Sequence, residues 1–487
     1  MSPVLGEPGG AAPAAAPPAP AVAEQPAPFD VTTADFPALL EELVDQYQTP
    51  EGRAPGAVNG HDLLIRAGAI LREVSAGSPA VDFTVLYDRT WKAGDGPSKE
   101  EASARARAVL KAAGERGVLE LLDQAAAAPR MAMAKVGTPE RVNQERLALG
   151  EEPEKWSGRL VDMGLTELGR FRSLARMSAA RMAEARAAGD TAEFIRAIEH
   201  ALAAARASGH QPSLISRLVG AAVQALIIEQ LMKDVPGFKL SDAELVAINE
   251  VFQRQVGRLP PPGLAMGGER LLALDSCRSV FKADGTLNPA GLNALTQGPL
   301  PTAQGRAALK AMRDDNVAAV LDAYGRLTRW AEAPVGQREA ADSPEAVDQR
   351  WRDNPQGLVV RLMLPALGRA VKVDDQVALR RQGVLAMLAV ERYQRATGAY
   401  PADLAAVVAK GLLAAVPTDP VTGKLLGYRR LAKPDEAGRD YLLYSVGFDG
   451  VDDGGRELTE EQGGFTRAIE GPKVEGGADA VLTPGLR

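Results

Sequence analysis

The chain has 487 residues, more than one ordinary domain needs, so two or three domains are expected. Hydrophobic residues make up 46 % and aromatic residues only 5 %, which favours alanine- and leucine-rich helices over a β-sandwich. The net charge is −7 with acids and bases interspersed, so there is no basic surface for phosphates and a nucleic-acid partner is excluded.

The cysteine content and the apolar runs exclude further classes of protein and of site. Cys277 is the only cysteine, so intramolecular disulfides and cysteine-based zinc clusters are excluded, and its apolar helical context predicts a buried small hydrophobe. The most apolar window, "LISRLVGAAVQALIIEQLM", is interrupted by Arg217, Gln224 and Glu229 and predicts a core helix rather than a membrane span. No secretory signal precedes the first basic residue, Arg53, so membrane contact is expected only through an anchor absent from this sequence.

Four regions follow from composition and periodicity. Residues 1–28 contain eight Pro and nine Ala and predict a disordered tail. Residues 29–368 predict an α-helical body with a break near 131–164. Residues 369–465 predict a small α+β domain, and 466–487 a second disordered tail.

Capping signals mark several helices of the body. Ser98 with Glu101, Asp190 with Glu193 and Ser241 with Glu244 have the capping-box spacing. Four helices with short connections are predicted over 165–256, which indicates hairpins of adjacent helices. Further helices are predicted over 270–281, 305–332 and 354–367.

The C-terminal domain begins with the helical run "DDQVALRRQGVLAMLAVERYQRATG", which Gly398 closes. A short helix after Pro401 and turns at "VPTDP" and "TGK" follow. Two runs, "LLGYRRL" and "DYLLYSV", then predict strands, because residues 441–446 alternate with the period of two that a strand requires.

This order of motifs resembles the globular part of the major pseudopilin of bacterial type II secretion. The matching positions are Tyr400, Pro401, Asp419, Pro420, Tyr444, Ser445, Gly447, Asp449 and Gly450. The resemblance covers roughly residues 375–460 and implies a pseudopilin-like fold with a calcium-binding acidic loop after the last strand. The helical part is similar to large bacterial proteins that carry this unit and commonly begin with an anchor, which implies the cell envelope or periplasm.

The candidate metal ligands are Asp449, Asp452 and Asp453 in the stretch "GFDGVDDGG". Calcium takes six to eight oxygen ligands at about 2.3–2.6 Å, and three carboxylates offer up to six of them. An EF-hand is excluded, because Val451 occupies its third position and a strand precedes the loop. A water-solvated Gly/Asp turn is the alternative to a calcium site.

Other catalytic patterns are absent from the sequence. His61, His200 and His210 are not clustered as zinc ligands and are interpreted as surface or capping residues. We therefore predict a non-enzymatic interaction or scaffold protein of the bacterial envelope that binds protein partners. The alternatives are a hydrolase with carboxylates in a cleft between the two domains, and a component related to the type II secretion pseudopilins.

Overall fold

The computed structural model describes residues 29–76, 81–88, 90–92, 97–133, 158–160, 165, 167–296, 308, 310–334, 337–352, 354–363, 367–447, 449–459, 464–470 and 477–485. The predicted tail 1–28 and most of the predicted break 131–164 lie outside these residues. Within them the chain is mainly helical, with seventeen α-helices and a three-stranded antiparallel sheet near the C-terminus. The helical body and the small sheet are thus as predicted.

The body contains fourteen helices in the described part of the chain. They are α1 Phe36–Gln46, α2 Pro50–Arg53, α3 Gly60–Ala76, α4 Lys99–Glu115, α5 Val118–Ala127, α6 Glu167–Ala188, α7 Thr191–Gly209, α8 Leu214–Asp234, α9 Asp242–Val256, α10 Pro262–Val280, α11 Pro289–Thr296, α12 Arg313–Glu332, α13 Pro344–Trp351 and α14 Leu358–Met363. The C-terminal unit comprises α15 Leu367–Thr397, α16 Leu404–Ala409, β1 Gly427–Arg430, β2 Tyr441–Ser445, α17 Gly464–Glu470 and β3 Ala480–Val481.

Two of the predicted capping boxes start helices as expected. The Ser98 hydroxyl accepts a hydrogen bond from the Glu101 amide at 3.3 Å, and the Glu101 carboxylate accepts one from the Ser98 amide at 3.0 Å. Ser241 and Glu244 form the same reciprocal pair at the start of α9, at 3.3 and 2.7 Å. Each box satisfies amide groups that the first turn of a helix leaves unpaired.

The third predicted box is only half formed. Asp190 caps α7 by accepting a hydrogen bond from the Glu193 amide at 3.0 Å. The Glu193 carboxylate instead pairs with the Arg181 guanidinium on α6, where Nε lies 2.7 Å from Oε1. A buried arginine competes for the carboxylate, because an unpaired guanidinium would be costly there.

Helix α10 begins eight residues before its predicted start at residue 270. Pro261 and Pro262 occupy its N-cap and first position, where proline's missing amide is no loss. Gly268 allows a close approach to the neighbouring chain, because a Cβ there would lie 1.8 Å from the Pro212 carbonyl oxygen. Pro261 and Pro262 therefore start this helix, and Gly268 allows it to pack closely.

Three large apolar clusters form the interior. One joins α3, α4 and α5 to α6 and α7, and a second joins α1, α10, α11, α12 and α14 to the first turns of α15. The third packs α6 to α9 against the rest of α15, α16 and the sheet. Helix α8 is long and apolar enough to cross a membrane, yet 61 % of its most apolar window is buried, in agreement with the predicted core position.

Ion pairs fix α15 to the body. The Arg217 guanidinium on α8 pairs with Asp374, and Arg338 makes a bidentate contact with Asp375 at 2.6 and 2.8 Å. All four side chains are less than one-fifth exposed. Because their charges are largely removed from water, each pair depends on both partners being present.

The sheet has the order β1-β2-β3, with every pair antiparallel. Tyr441 and Leu443 of β2 enter the large cluster on α15, whereas Leu442 and Tyr444 pack with Val481 of β3 on the other side. This alternation confirms the predicted period of two. The predicted disordered tail 466–487 is corrected, since most of α17 and all of β3 lie within it. A two-residue strand is too short to show alternation, and only its pairing with β2 identifies it.

A buried carboxyl lies between α15 and the sheet. Glu391 is fully buried, and its Oε1 accepts hydrogen bonds from the hydroxyls of Tyr441 at 3.1 Å and Tyr400 at 3.3 Å. Burial raises the pKa of Glu391 to about 7, while the two hydroxyls and nearby Arg395 act to lower it and Asp440 to raise it. The Glu391 carboxyl group therefore changes between its protonated and ionised forms near neutral pH.

We predict that Leu443→Ala destabilises the helical body as well as the sheet. Leu443 is fully buried in the cluster that includes α6 to α9, so truncation should lower the free energy of unfolding by about 2–5 kcal/mol. Urea unfolding followed by far-UV circular dichroism measures this change. Leu425→Ala, at a residue 58 % exposed, is the matched control and should change stability by less than about 0.5 kcal/mol. A helical signal that unfolds at the same urea concentration in both variants would contradict the shared core.

We predict that Glu391→Gln flattens the pH dependence of stability. The folded-state pKa of about 7 is above the ordinary 4.5, so this group stabilises the fold below about pH 4.5 and loses that contribution as pH rises through 7. Between about pH 5 and pH 8 the wild type should lose roughly 3 kcal/mol more than the variant. Urea unfolding at a series of pH values tests this, and parallel profiles for the two proteins would disprove it.

Candidate metal centre

The acidic loop, residues 449–455, follows a turn that closes β2. Gly447 has φ +67°, and a Cβ there would lie 2.5 Å from the Ala468 carbonyl oxygen, so the turn requires glycine. The Gly447 amide donates to the Ser445 hydroxyl at 3.1 Å, and that hydroxyl in turn donates to the buried Asp419 carboxylate. The start of the loop is therefore held by the end of β2.

Two of the three predicted ligands make local hydrogen bonds. Asp449 accepts one from the Val451 amide at 3.0 Å, the pattern of a simple Asx turn. Asp452 Oδ1 accepts from the Tyr444 hydroxyl at 3.0 Å and from the Gly454 amide at 2.9 Å. Asp449 thus stabilises its own turn, whereas Asp452 ties the loop to β2.

A fourth carboxylate, Asp479, completes the loop. Its Oδ2 accepts hydrogen bonds from the amides of Asp453 at 3.0 Å and Gly455 at 2.6 Å, and its own amide donates to the Arg456 carbonyl at 2.8 Å. Asp479 is only 1 % exposed and directly precedes β3. Sequence analysis missed it because it follows the loop by more than twenty residues, in the segment predicted to be disordered.

Two buried carboxylate oxygens, one in this loop and one directly before β3, have no hydrogen-bond partner among the described residues. They are Oδ2 of Asp453 and Oδ1 of Asp479. Leaving such an acceptor unsatisfied costs about 1–3 kcal/mol or more for a charged group, so the site favours a proton or a cation. Burial raises the pKa of Asp479, and the carboxylates of Asp452 and Asp453 raise it further against the two amides.

The three predicted aspartates do not converge on one point. Within the described ranges, no three Asp, Glu, His or Cys side chains are grouped so that together they could hold a metal ion. What the structure does bring together is the pair Asp453 and Asp479, with Asp452 near enough to act on Asp479 electrostatically. A cation here would need backbone carbonyls and water as further ligands.

The expected surface position of the histidines is wrong. His61, His200 and His210 are only 3 %, 1 % and 5 % exposed, although His61 does lie at the start of α3 and His210 does cap the end of α7. Their burial depends on contacts between helices distant in sequence.

His200 shows how such a residue is accommodated. Its Nδ1 lies 2.8 Å from Arg181 Nη1 and its Nε2 lies 2.7 Å from Asp123 Oδ1. Burial, and then the Arg181 charge, lower the pKa of His200 to about 4, so the ring is neutral at pH 7. Because the guanidinium can only donate, Nδ1 accepts and Nε2 carries the proton that Asp123 accepts. His200 is therefore part of a structural network across α5, α6 and α7.

Cys277 has the environment that its sequence predicts. It is fully buried in α10, and burial raises the pKa of its thiol to about 12. A thiol that stays protonated and out of reach of solvent is no nucleophile.

Two adjoining cavities, of about 570 and 220 Å³, lie in the helical body. They share four lining residues, namely Tyr87, Asp88, Gln230 and Lys233. The larger cavity is bounded by α6, α8 and the side chains of Thr84, Tyr87, Asp88 and Thr90. Neither cavity is lined by residues of the C-terminal unit, so neither is the interdomain cleft that the hydrolase alternative requires.

Comparison of the chain with protein-family models, with curated proteins and with solved structures found no match in any of the three. The pseudopilin resemblance of the C-terminal unit stays a prediction from the order of its motifs.

We predict that Gly477→Ala destabilises the protein more than Gly411→Ala does. Both glycines have φ +74°, but a Cβ at 411 meets nothing within 4 Å, whereas one at 477 would lie 2.2 Å from Asp453 Oδ2. Gly411→Ala should therefore cost about 1–2 kcal/mol from backbone strain alone. Gly477→Ala should cost about 1–3 kcal/mol more, because it displaces the Asp453 carboxylate. Chemical denaturation of the two variants measures the difference, and equal losses would refute the packing of Asp453 against Gly477.

Proposed function

We propose that this chain is a non-enzymatic interaction or scaffold protein of the bacterial envelope whose C-terminal loop is stabilised by calcium. The observation that carries the proposal is the pair of buried, unpartnered oxygens on Asp453 and Asp479. These two carboxylates, with backbone carbonyls and water, would hold the ion, and it would tie the acidic loop to the start of β3. The envelope location rests on the pseudopilin resemblance.

The chemistry of the donor set favours a hard divalent cation. Every candidate ligand is a carboxylate or a backbone carbonyl, the donors that calcium prefers over softer metals. Burial raises the pKa of Asp479, and the nearby charges of Asp452 and Asp453 add to this, so a cation at the site would offset both effects. The proposed set differs from the one expected from sequence, because Asp479 joins Asp453 in place of Asp449 and Asp452.

A scaffold role is favoured over a hydrolase by the placement of the acids. The Asp453–Asp479 pair is engaged in closing a loop rather than facing a cleft. The carboxylates in the two cavities of the body are partly neutralised by their neighbours, as when Glu229 pairs with Lys233 and Asp234 with Arg186. Arrays of helical hairpins commonly present surfaces to protein partners.

We predict that calcium stabilises the wild type and not a variant with Asp453→Asn and Asp479→Asn. A ligand that binds only the folded state adds about 2.7 kcal/mol at one hundred times its Kd. Asparagine keeps the shape and the hydrogen-bond acceptor but removes the charge, so the variant should show little or no gain. Urea unfolding with calcium or with a chelator measures the effect, and magnesium in place of calcium should stabilise less.

The matched control is Asp315→Asn, which removes one carboxylate from an exposed position in α12. It should keep the full calcium response. An equal calcium response in the Asp453/Asp479 variant would place the ion elsewhere. The absence of a response in the wild type would refute the calcium part of the proposal and leave the acidic loop as a solvated turn.

A further inference from the structure

The larger cavity of the helical body has the size and lining of a small-molecule site. Its volume of about 570 Å³ is within the 300–1,000 Å³ typical of ligand pockets. Apolar side chains of α6 and α8 form one side of it, namely Ala175, Ala222, Val223 and Leu226. Polar side chains surround this apolar surface, so the cavity has both apolar and polar surfaces for a ligand.

Cations in the lining outnumber anions, although the whole chain has a net charge of −7. The two cavities are lined by five cationic and three anionic side chains, namely Lys99, Arg172, Arg176, Arg186, Lys233, Asp88, Glu229 and Asp234. Glu229 and Asp234 each pair with a cation of the same lining, and Asp88 accepts hydrogen bonds from Thr90. The remaining charge is therefore positive.

That charge is concentrated on one face of α6. Arg172 and Arg176 are exposed, lie four residues apart, and make no hydrogen bond or ion pair with any residue the structure describes. Side chains at this spacing are neighbours on a helix surface, with Cβ atoms about 5–6 Å apart, and like charges there repel each other. The charge of Arg176 is the smallest of several contributions to the pKa of Asp82, so these two side chains interact only weakly. A carboxylate seated between the two guanidinium groups would relieve the repulsion and accept paired hydrogen bonds.

We propose that this cavity binds a small amphipathic carboxylate, with its head group between Arg172 and Arg176 and its apolar part along Ala222 and Leu226. Tyr87 also lines the cavity, so its hydroxyl is a further hydrogen-bond donor for the ligand. This site is independent of the acidic loop and of calcium.

The test is calorimetric titration of the full chain with three probes: decanoate, decanol and inorganic phosphate. Decanoate has both the charge and the apolar chain, so it should bind at least about ten-fold more tightly than either of the others. Equal binding of decanol would reduce the cavity to an apolar crevice. Equal binding of phosphate would reduce it to an anion site, and either result overturns the proposal.

Two sets of variants locate the binding. Arg172→Gln with Arg176→Gln should weaken decanoate binding at least about ten-fold. Arg66→Gln with Arg105→Gln removes the same charge from exposed positions outside the lining and should leave the affinity unchanged. Similar weakening by both pairs would show a non-specific charge effect and overturn the proposal.

Ala222→Trp tests the apolar side of the cavity without changing charge. Ala222 is exposed to the cavity, so the larger ring should occupy space that the ligand needs while the protein keeps its melting temperature. Decanoate binding should then fall at least about ten-fold. Undiminished binding by a folded Ala222→Trp protein, or no decanoate binding to the wild type up to about 1 mM, would refute the site.

Discussion

Helix α15 is the constraint on which the rest of the structure depends. Its 31 residues extend about 46 Å, and they contribute to two of the three large apolar clusters. Ala370 and Val371 belong to the cluster of α10, α12 and α14, whereas the residues from Val377 onward pack on α6 to α9 and the sheet. The domain boundary expected near 369 falls in the first turn of this helix, where packing is continuous rather than interrupted.

How far the sequence predicts the fold depends on how local each signal is. The Ser98 and Ser241 capping boxes and the alternation in β2 need only a few adjacent residues, and all three are confirmed. The burial of His200 depends on Asp123, 77 residues away, and sequence spacing carries no sign of that contact. The acidic loop also combines local signals with a contact between residues distant in sequence. Its glycines and aspartates are visible in the sequence, but Asp479 joins them only because β3 pairs with β2.

Polar groups in the interior serve mainly to hold helices in fixed relation to one another. His200, Asp123 and Arg181 link α5, α6 and α7, and Arg217 with Asp374 links α8 to α15. Such contacts add little net stability compared with apolar packing, but removing one partner leaves a buried charge or donor unpaired. They therefore specify which helix faces meet, a choice that alanine-rich surfaces with their similar side chains would leave poorly defined.

The acidic loop is coupled to the helical body through the sheet. Leu482, next to β3, donates its amide to the Leu443 carbonyl at 2.8 Å, and a Cβ on Gly383 of α15 would lie only 3.1 Å from its side chain. Asp479 fixes the other end of β3, because its carboxylate accepts hydrogen bonds from the amides of Asp453 and Gly455. A cation that neutralises Asp453 and Asp479 would thus act on a strand that touches both β2 and α15. A two-residue strand has few ladder hydrogen bonds of its own, so the attachment of β3 depends on these flanking contacts. The charge of the acidic loop therefore affects how the sheet packs against α15.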